Sequence, residues 1–170
     1  MDPSLPQNPA TASPVASLGS LGFSIERTVA GGFRSRIHLG HCTTSRRAVV
    51  IKEIEPSNCS LECARDEADL MASLRHPHIV ELHYRYELQG HAFLVMQRAL
   101  GGDLHDYITQ APGGRLSLAE SKRIFAQLIL ALDYLHKRHI VHVCVLPLSC
   151  RLILSTSLAG CAVCFSFLSG

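Results

Sequence analysis

Lys52 closes the apolar run Ala48-Val49-Val50-Ile51, and an ammonium there could hold an anion in a partly dehydrated cleft. Alone, it reads more readily as the exposed cation of an edge strand. Gly31-Gly32 could let backbone N–H groups approach a phosphate, or could simply turn a hairpin. Asp103, after Gly101-Gly102, could accept from a ligand hydroxyl or cap a helix. Cys161-Ala162-Val163-Cys164 has the two-residue gap of metal and redox motifs, but lacks a second pair or a neighbouring βαβ pattern. His136, His139 and His142 could share one helical face, yet no acid or thiol joins them at metal-ligand spacing. None of these residues acquires a chemistry until a scaffold positions it.

The scaffold is legible in the texture of the chain. Residues 1 to 22 are rich in Pro, Ser and Ala and nearly uncharged, with no period that fixes a buried face, and are expected to be a disordered tail. From Phe23 the pattern becomes mixed. FSIERTVAGGF, SRIHLGHC and RRAVVIKEIE predict three strands of an antiparallel meander. A helix follows over 60 to 74, stopped by His76-Pro77, because proline disfavours helix at the residue before it. IVELHYRYEL and HAFLVMQ predict two more strands around a Gln89-Gly90 turn. A short helix starts at Asp103. The strongest helix begins at a Ser117 to Glu120 capping box and carries Ile124, Phe125, Leu128, Ile129, Leu132 and Leu135 at helical spacing, to about Lys137.

That order, with Val49-Val50-Ile51-Lys52 on the third strand, His76-Pro77-His78-Ile79-Val80 after the first helix and Gly101-Gly102-Asp103-Leu104 before the second, resembles the protein kinase family, Ser/Thr branch. The resemblance spans roughly Phe23 to His142. It implies an α+β fold: a kinase-like small lobe with hinge over 23–100, made of a five-stranded antiparallel sheet and one helix, then the start of the large lobe over 101–142. It further implies that Lys52 holds the α- and β-phosphates of ATP. Glu67, nine residues before His76, takes the place of the helix acid that orients the lysine. Gly32 alone falls on a family glycine of the phosphate loop, since Ala30 and Ser35 replace the others, and Ile37 takes the place of the roof valine. Val29 and Val50 would line the adenine site, with Met96 at the gatekeeper position, Gln97 and Ala99 offering hinge backbone, and Asp103 reaching a ribose hydroxyl. The degraded glycine loop implies a weak grip on ATP. The hinge pattern leans towards the calcium/calmodulin-dependent and testis-specific-like groups.

After Ile140-Val141-His142 the resemblance breaks. Cys144 and Ser149 stand where the family has its catalytic Asp and its metal-binding Asn, and residues 143–170 contain no carboxylate. No catalytic residue is intact, magnesium is not expected to be held, and an inactive or only nucleotide-binding domain is the reading. The change of composition in mid-motif suggests an altered reading frame or retained intron. The last 28 residues are expected to be an atypical apolar tail; Leu152 to Leu168 is uncharged but short for a membrane span and weakened by Ser and Thr.

The formal charge is +2, from 16 Lys and Arg against 14 Asp and Glu, which gives no electrostatic case for nucleic acid or an acidic membrane. Seven cysteines at irregular spacing and no secretory leader point to a reduced cytoplasmic or nuclear protein. Adenine nucleotide is the expected partner; protein partners are unnamed. Three functions compete: a Ser/Thr kinase, a pseudokinase-like or truncated-isoform interaction module without catalysis, and a poorly folding fragment whose long helix exposes apolar residues.

Overall fold

The computed structural model describes residues 13–31, 35–56, 60–101, 104–140, 150–155 and 158–163. Five strands form one sheet: β1 (Phe23–Gly31), β2 (Ser35–Cys42), β3 (Ala48–Ile54), β4 (Leu82–Leu88) and β5 (His91–Gln97), in the order β1-β2-β3-β5-β4. The helices are α1 (Ser60–Ser73), α2 (Leu104–Gln110) and α3 (Leu118–His136). Element types and order follow the sequence expectation throughout this block. Between β4 and β5 the chain turns on Gln89 and Gly90, both left-handed at φ 51° and 80°, the combination that a tight hairpin turn requires.

The chain divides into two compact units, Met1–Ala64 with Tyr84–Val95, and Arg65–His83 with Met96–Gly170. In the first, Phe23, Val49, Ile51, Phe93 and Val95 make a core on one face of the sheet. Strand alternation explains the set, because Val49 and Ile51 on β3 and Phe93 and Val95 on β5 are two residues apart and so share a side. Gly40 on β2 lies opposite Ile25, and a Cβ there would stand 2.2 Å from the Ser24 carbonyl oxygen, so only glycine fits this strand crossing.

The N-terminal boundary differs from the compositional reading. Ala16–Leu21 forms a 3₁₀ turn closed by the left-handed Gly22, and Leu18 is fully buried in the sheet core. Order here starts before Phe23, because one leucine seated among five core side chains anchors a stretch that shows no period of its own.

In the second unit, Leu74 and Ile79 pack with Ala131 and Leu135, flanked by Leu128, Tyr134 and Ile140. The predicted capping box is present: the Glu120 N–H donates to Ser117 Oγ at 3.2 Å and the Ser117 N–H to Glu120 Oε2 at 3.1 Å. Hydrogen bonds from Ser117, hydroxyl before backbone, hold the Glu120 carboxyl below its usual range. Ser117→Ala is expected to cost about 1 kcal/mol, checked by the urea midpoint at unchanged m-value.

The apolar stripe of α3 is wider than what the fold covers. Ile124, Ala131 and Leu135 are buried, whereas Leu118, Phe125, Ile129 and Leu130 are exposed, Phe125 at 62%. The sequence stretch expected to be an irregular tail contains a two-stranded antiparallel hairpin, β6 (Cys150–Ser155) and β7 (Leu158–Val163), with Leu152 paired to Cys161. β7 runs beside α3. Among the described residues no helix is long and apolar enough to cross a membrane.

Candidate functional site

On the sheet, the alternation that buries Val49, Ile51 and Glu53 turns Val50 and Lys52 to the opposite side, where both are half-buried. The β2–β3 register sets Ile37 directly across from Lys52, and Leu39 across from Val50. Directly opposed residues of an antiparallel pair share a face. Ile37, Val50 and Lys52 are thereby gathered on one side: two apolar side chains beside one ammonium. The Lys52 side chain is not without a partner. Val29 sits in an irregularity of β1 between Thr28, opposite His38, and Ala30, opposite Ile37, and is 37% exposed. Gly32 lies outside the described residues.

In the other unit, Glu67 occupies the buried stripe of α1 together with Ala68 and Met71, and is only 7% exposed. A carboxylate on such a face must be paired to be tolerated, and Glu67 does have a polar partner. Met96 and Ala99 are buried and Gln97 is half-buried. The Gln97 N–H is already committed, donating to the Glu81 carbonyl at 2.9 Å, so at this residue only the carbonyl oxygen could receive a ligand's donor. Asp103, Cys144 and Ser149 lie outside the described residues, as do residues 141–149 as a whole.

Sequence reasoning missed a second set of titratable groups, on the core side of the same sheet. Glu53 on β3 is 1% exposed. Its Oε2 lies 2.9 Å from His38 Nε2, whose other ring nitrogen is 2.9 Å from Thr28 Oγ1. Its Oε1 lies 2.9 Å from His91 Nδ1, close but without hydrogen-bond alignment, and the Arg36 guanidinium stands 3.7 Å from Oε2. The register could have pointed to part of it, since Arg36 pairs with Glu53 and Thr28 with His38. The contribution of β5 could not have been read from spacing.

A cavity of about 600 Å³ lies elsewhere, beside α2 and the start of α3, lined by Tyr107, Gln110, Arg115, Leu116 and Glu120 among others. None of the residues assigned to the nucleotide site from the sequence lines it. Its polar groups are partly spent on structure, with Tyr107 donating to Glu120 Oε1 at 3.3 Å and Glu120 engaged in the α3 cap.

Comparison with known proteins adds four findings. The sequence pattern described as "Protein kinase domain" matches residues 23–145. The rat protein "NUAK family SNF1-like kinase 2" is 38% identical over 103 residues, covering 58% of this chain and 16% of the relative. The chicken "Serine/threonine-protein kinase SIK2" is 33% identical over 125 residues, covering 71% of this chain and 15% of the relative. The chain therefore spans about one sixth of the length of either relative. Among solved structures, Rad53 in complex with AMP-PNP superposes with a TM-score of 0.71 at 24% identity, over 84% of this chain and 38% of that one, a likeness of fold.

Proposed function

The chain belongs to the protein kinase family, and from that premise we propose that it binds adenine nucleotide weakly through its sheet and hinge without itself transferring phosphate. The observation that carries the reading is the grouping of Lys52 with Ile37 and Val50 on one side of the sheet. An ammonium beside apolar walls suits a ligand that is polyanionic at one end and flat and apolar at the other. In this reading Lys52 meets the α- and β-phosphates, and Glu67 is the acid that orients it. Val29, Ile37 and Val50 enclose the base with Met96, while the Gln97 carbonyl and the Ala99 N–H meet its edge and Asp103 takes the ribose. The Rad53 complex with AMP-PNP supports the choice of ligand by analogy of fold.

Transfer is a different matter. In this family an Asp of the catalytic loop accepts the substrate hydroxyl proton and an Asn holds the second Mg²⁺. At the matching positions this sequence has Cys144 and Ser149. A thiol does not replace the carboxylate that accepts the proton, and the serine hydroxyl is a shorter arm than the asparagine amide oxygen that reaches the metal. The grip on nucleotide is therefore expected to be independent of magnesium. The odd, irregularly spaced cysteines favour the cytoplasm or nucleus.

The test is a thermal-shift titration with ATP, with and without Mg²⁺, on the wild type and Lys52→Met. At ten times its Kd, ATP should add about 1.4 kcal/mol of stability, equally in both buffers, and nothing in the variant. Identical melting under every condition removes the nucleotide from the proposal. Peptide phosphorylation abolished by Lys52→Met would remove the claim of inactivity. A second reading, an interaction module that needs no nucleotide, is favoured by the exposed apolar strip of α3; it predicts partner binding unchanged in Lys52→Met.

A further inference from the structure

The turn after α1 reads Arg75-His76-Pro77-His78-Ile79-Val80, and its two imidazoles are not used by the proposed nucleotide site. The turn is fastened to α3 from two sides. Leu74 and Ile79 are buried against Ala131 and Leu135, and the Arg75 N–H donates to the Tyr134 hydroxyl at 2.8 Å. Between these contacts the His78 N–H donates to His76 Nδ1 at 3.2 Å, folding the turn onto its own side chain in the way an Asx turn does. The His76 ring lies 5.0 Å from the Tyr134 ring and 5.4 Å from that of His78, while the Arg138 guanidinium stands 3.7 Å over Tyr134.

We propose that this turn is a proton-operated latch: it closes on α3 while His76 and His78 are neutral and loosens when they are charged. The geometry imposes the neutral form. Nδ1 of His76 can accept from the His78 N–H only while it keeps its lone pair, so the added proton goes onto that atom and ends the bond. The new cation then stands beside a ring whose face already carries Arg138 and next to a second imidazole.

Among the described residues, the acids on the neighbouring elements are already engaged. On α3, Asp133 is held by Lys137 at 2.7 Å; at the start of β4, Glu81 faces His83 at 3.9 Å. The Arg75 guanidinium donates to the Leu74 carbonyl, and His136 and His139 are exposed at the end of α3. Loss of hydration holds both imidazoles below their ordinary value, and at His76 the neighbouring His78 adds to it. The unfolded turn then takes up protons first, near pH 6.5, so the latch is at full strength above that pH. It weakens as pH falls through the lowered values.

The test is amide exchange of the full chain, corrected for the intrinsic pH dependence of exchange, compared at pH 7.5 and 5.5. Amides of residues 74–80 in the wild type should open several-fold more often at the lower pH. His76→Asn keeps an acceptor for the His78 N–H but cannot titrate, and should flatten the dependence. Corrected exchange that is flat in the wild type, or equally steep in His76→Asn, overturns the latch. Should His76→Asn fail to fold, NMR titration of the wild-type His76 and His78 rings decides: midpoints below the ordinary imidazole value of about 6.5 support the latch, and midpoints at that value overturn it.

Discussion

Glu53→Ala is expected to lower unfolding stability by about 3–5 kcal/mol, a large share of the 5–15 kcal/mol typical of a domain. The carboxylate is all but sealed from water, with one oxygen 2.9 Å from His38 Nε2 and 3.7 Å from Arg36, and the other 2.9 Å from His91 Nδ1. Removing it strips His38 and His91 of their common anion at once, whereas Arg36, half exposed, keeps its ion pair with Glu55. His38, itself buried, would keep only the Thr28 hydroxyl as a partner. The cost lies less in the lost attraction than in the desolvated groups left behind, and truncating one member of a buried charged set is severe for that reason. For a chain of this size the loss corresponds to a fall in Tm of about 6–20 °C. Glu53→Gln, which keeps the shape and one acceptor oxygen, should cost less than alanine. Equal melting of wild type and Glu53→Ala would show that the cluster contributes no net stability.

Leu18→Ala should follow closely, at about 2.7–5 kcal/mol, the range for emptying a fully buried leucine site. Leu18 is surrounded by Phe23, Val49, Ile51, Phe93 and Val95, side chains fixed by three different strands, so the space left cannot collapse easily. Leu21, three residues on in the same 3₁₀ turn, is 38% exposed, and Leu21→Ala should stay within about 0.5 kcal/mol. Chemical denaturation of the pair separates anchoring by Leu18 from any general effect of altering this stretch. Equal midpoints would mean that the sheet core holds without its N-terminal plug.

What the sequence could reveal follows from the range of the signals. The strands, the Gln89-Gly90 turn and the Ser117 to Glu120 cap are local, each written within a few residues, and each is found where the spacing placed it. The grouping of Ile37, Val50 and Lys52 follows once β2 and β3 are paired, because register is then fixed by alternation. Leu18 could not be recognised, since one apolar residue among Pro, Ser and Ala has no period. Glu53 was hidden for another reason. An acid beside Lys52 in a strand reads as solvent-facing, and the two histidines that make its burial tolerable come from strands 15 and 38 residues away, by the numbering of His38, Glu53 and His91. Ala131, fully buried while Phe125 on the same helix is exposed, shows that periodicity locates an apolar stripe but not which part of it the fold covers.

The strip formed by Leu118, Phe125 and Ile129 gives this molecule something of the character of a detergent. One flank of α3 meets water as a polar helix would, and another as oil does, so the chain should be surface-active: retained on hydrophobic resins, brightening environment-sensitive dyes without unfolding, and kept in dilute solution more readily than in concentrated stock.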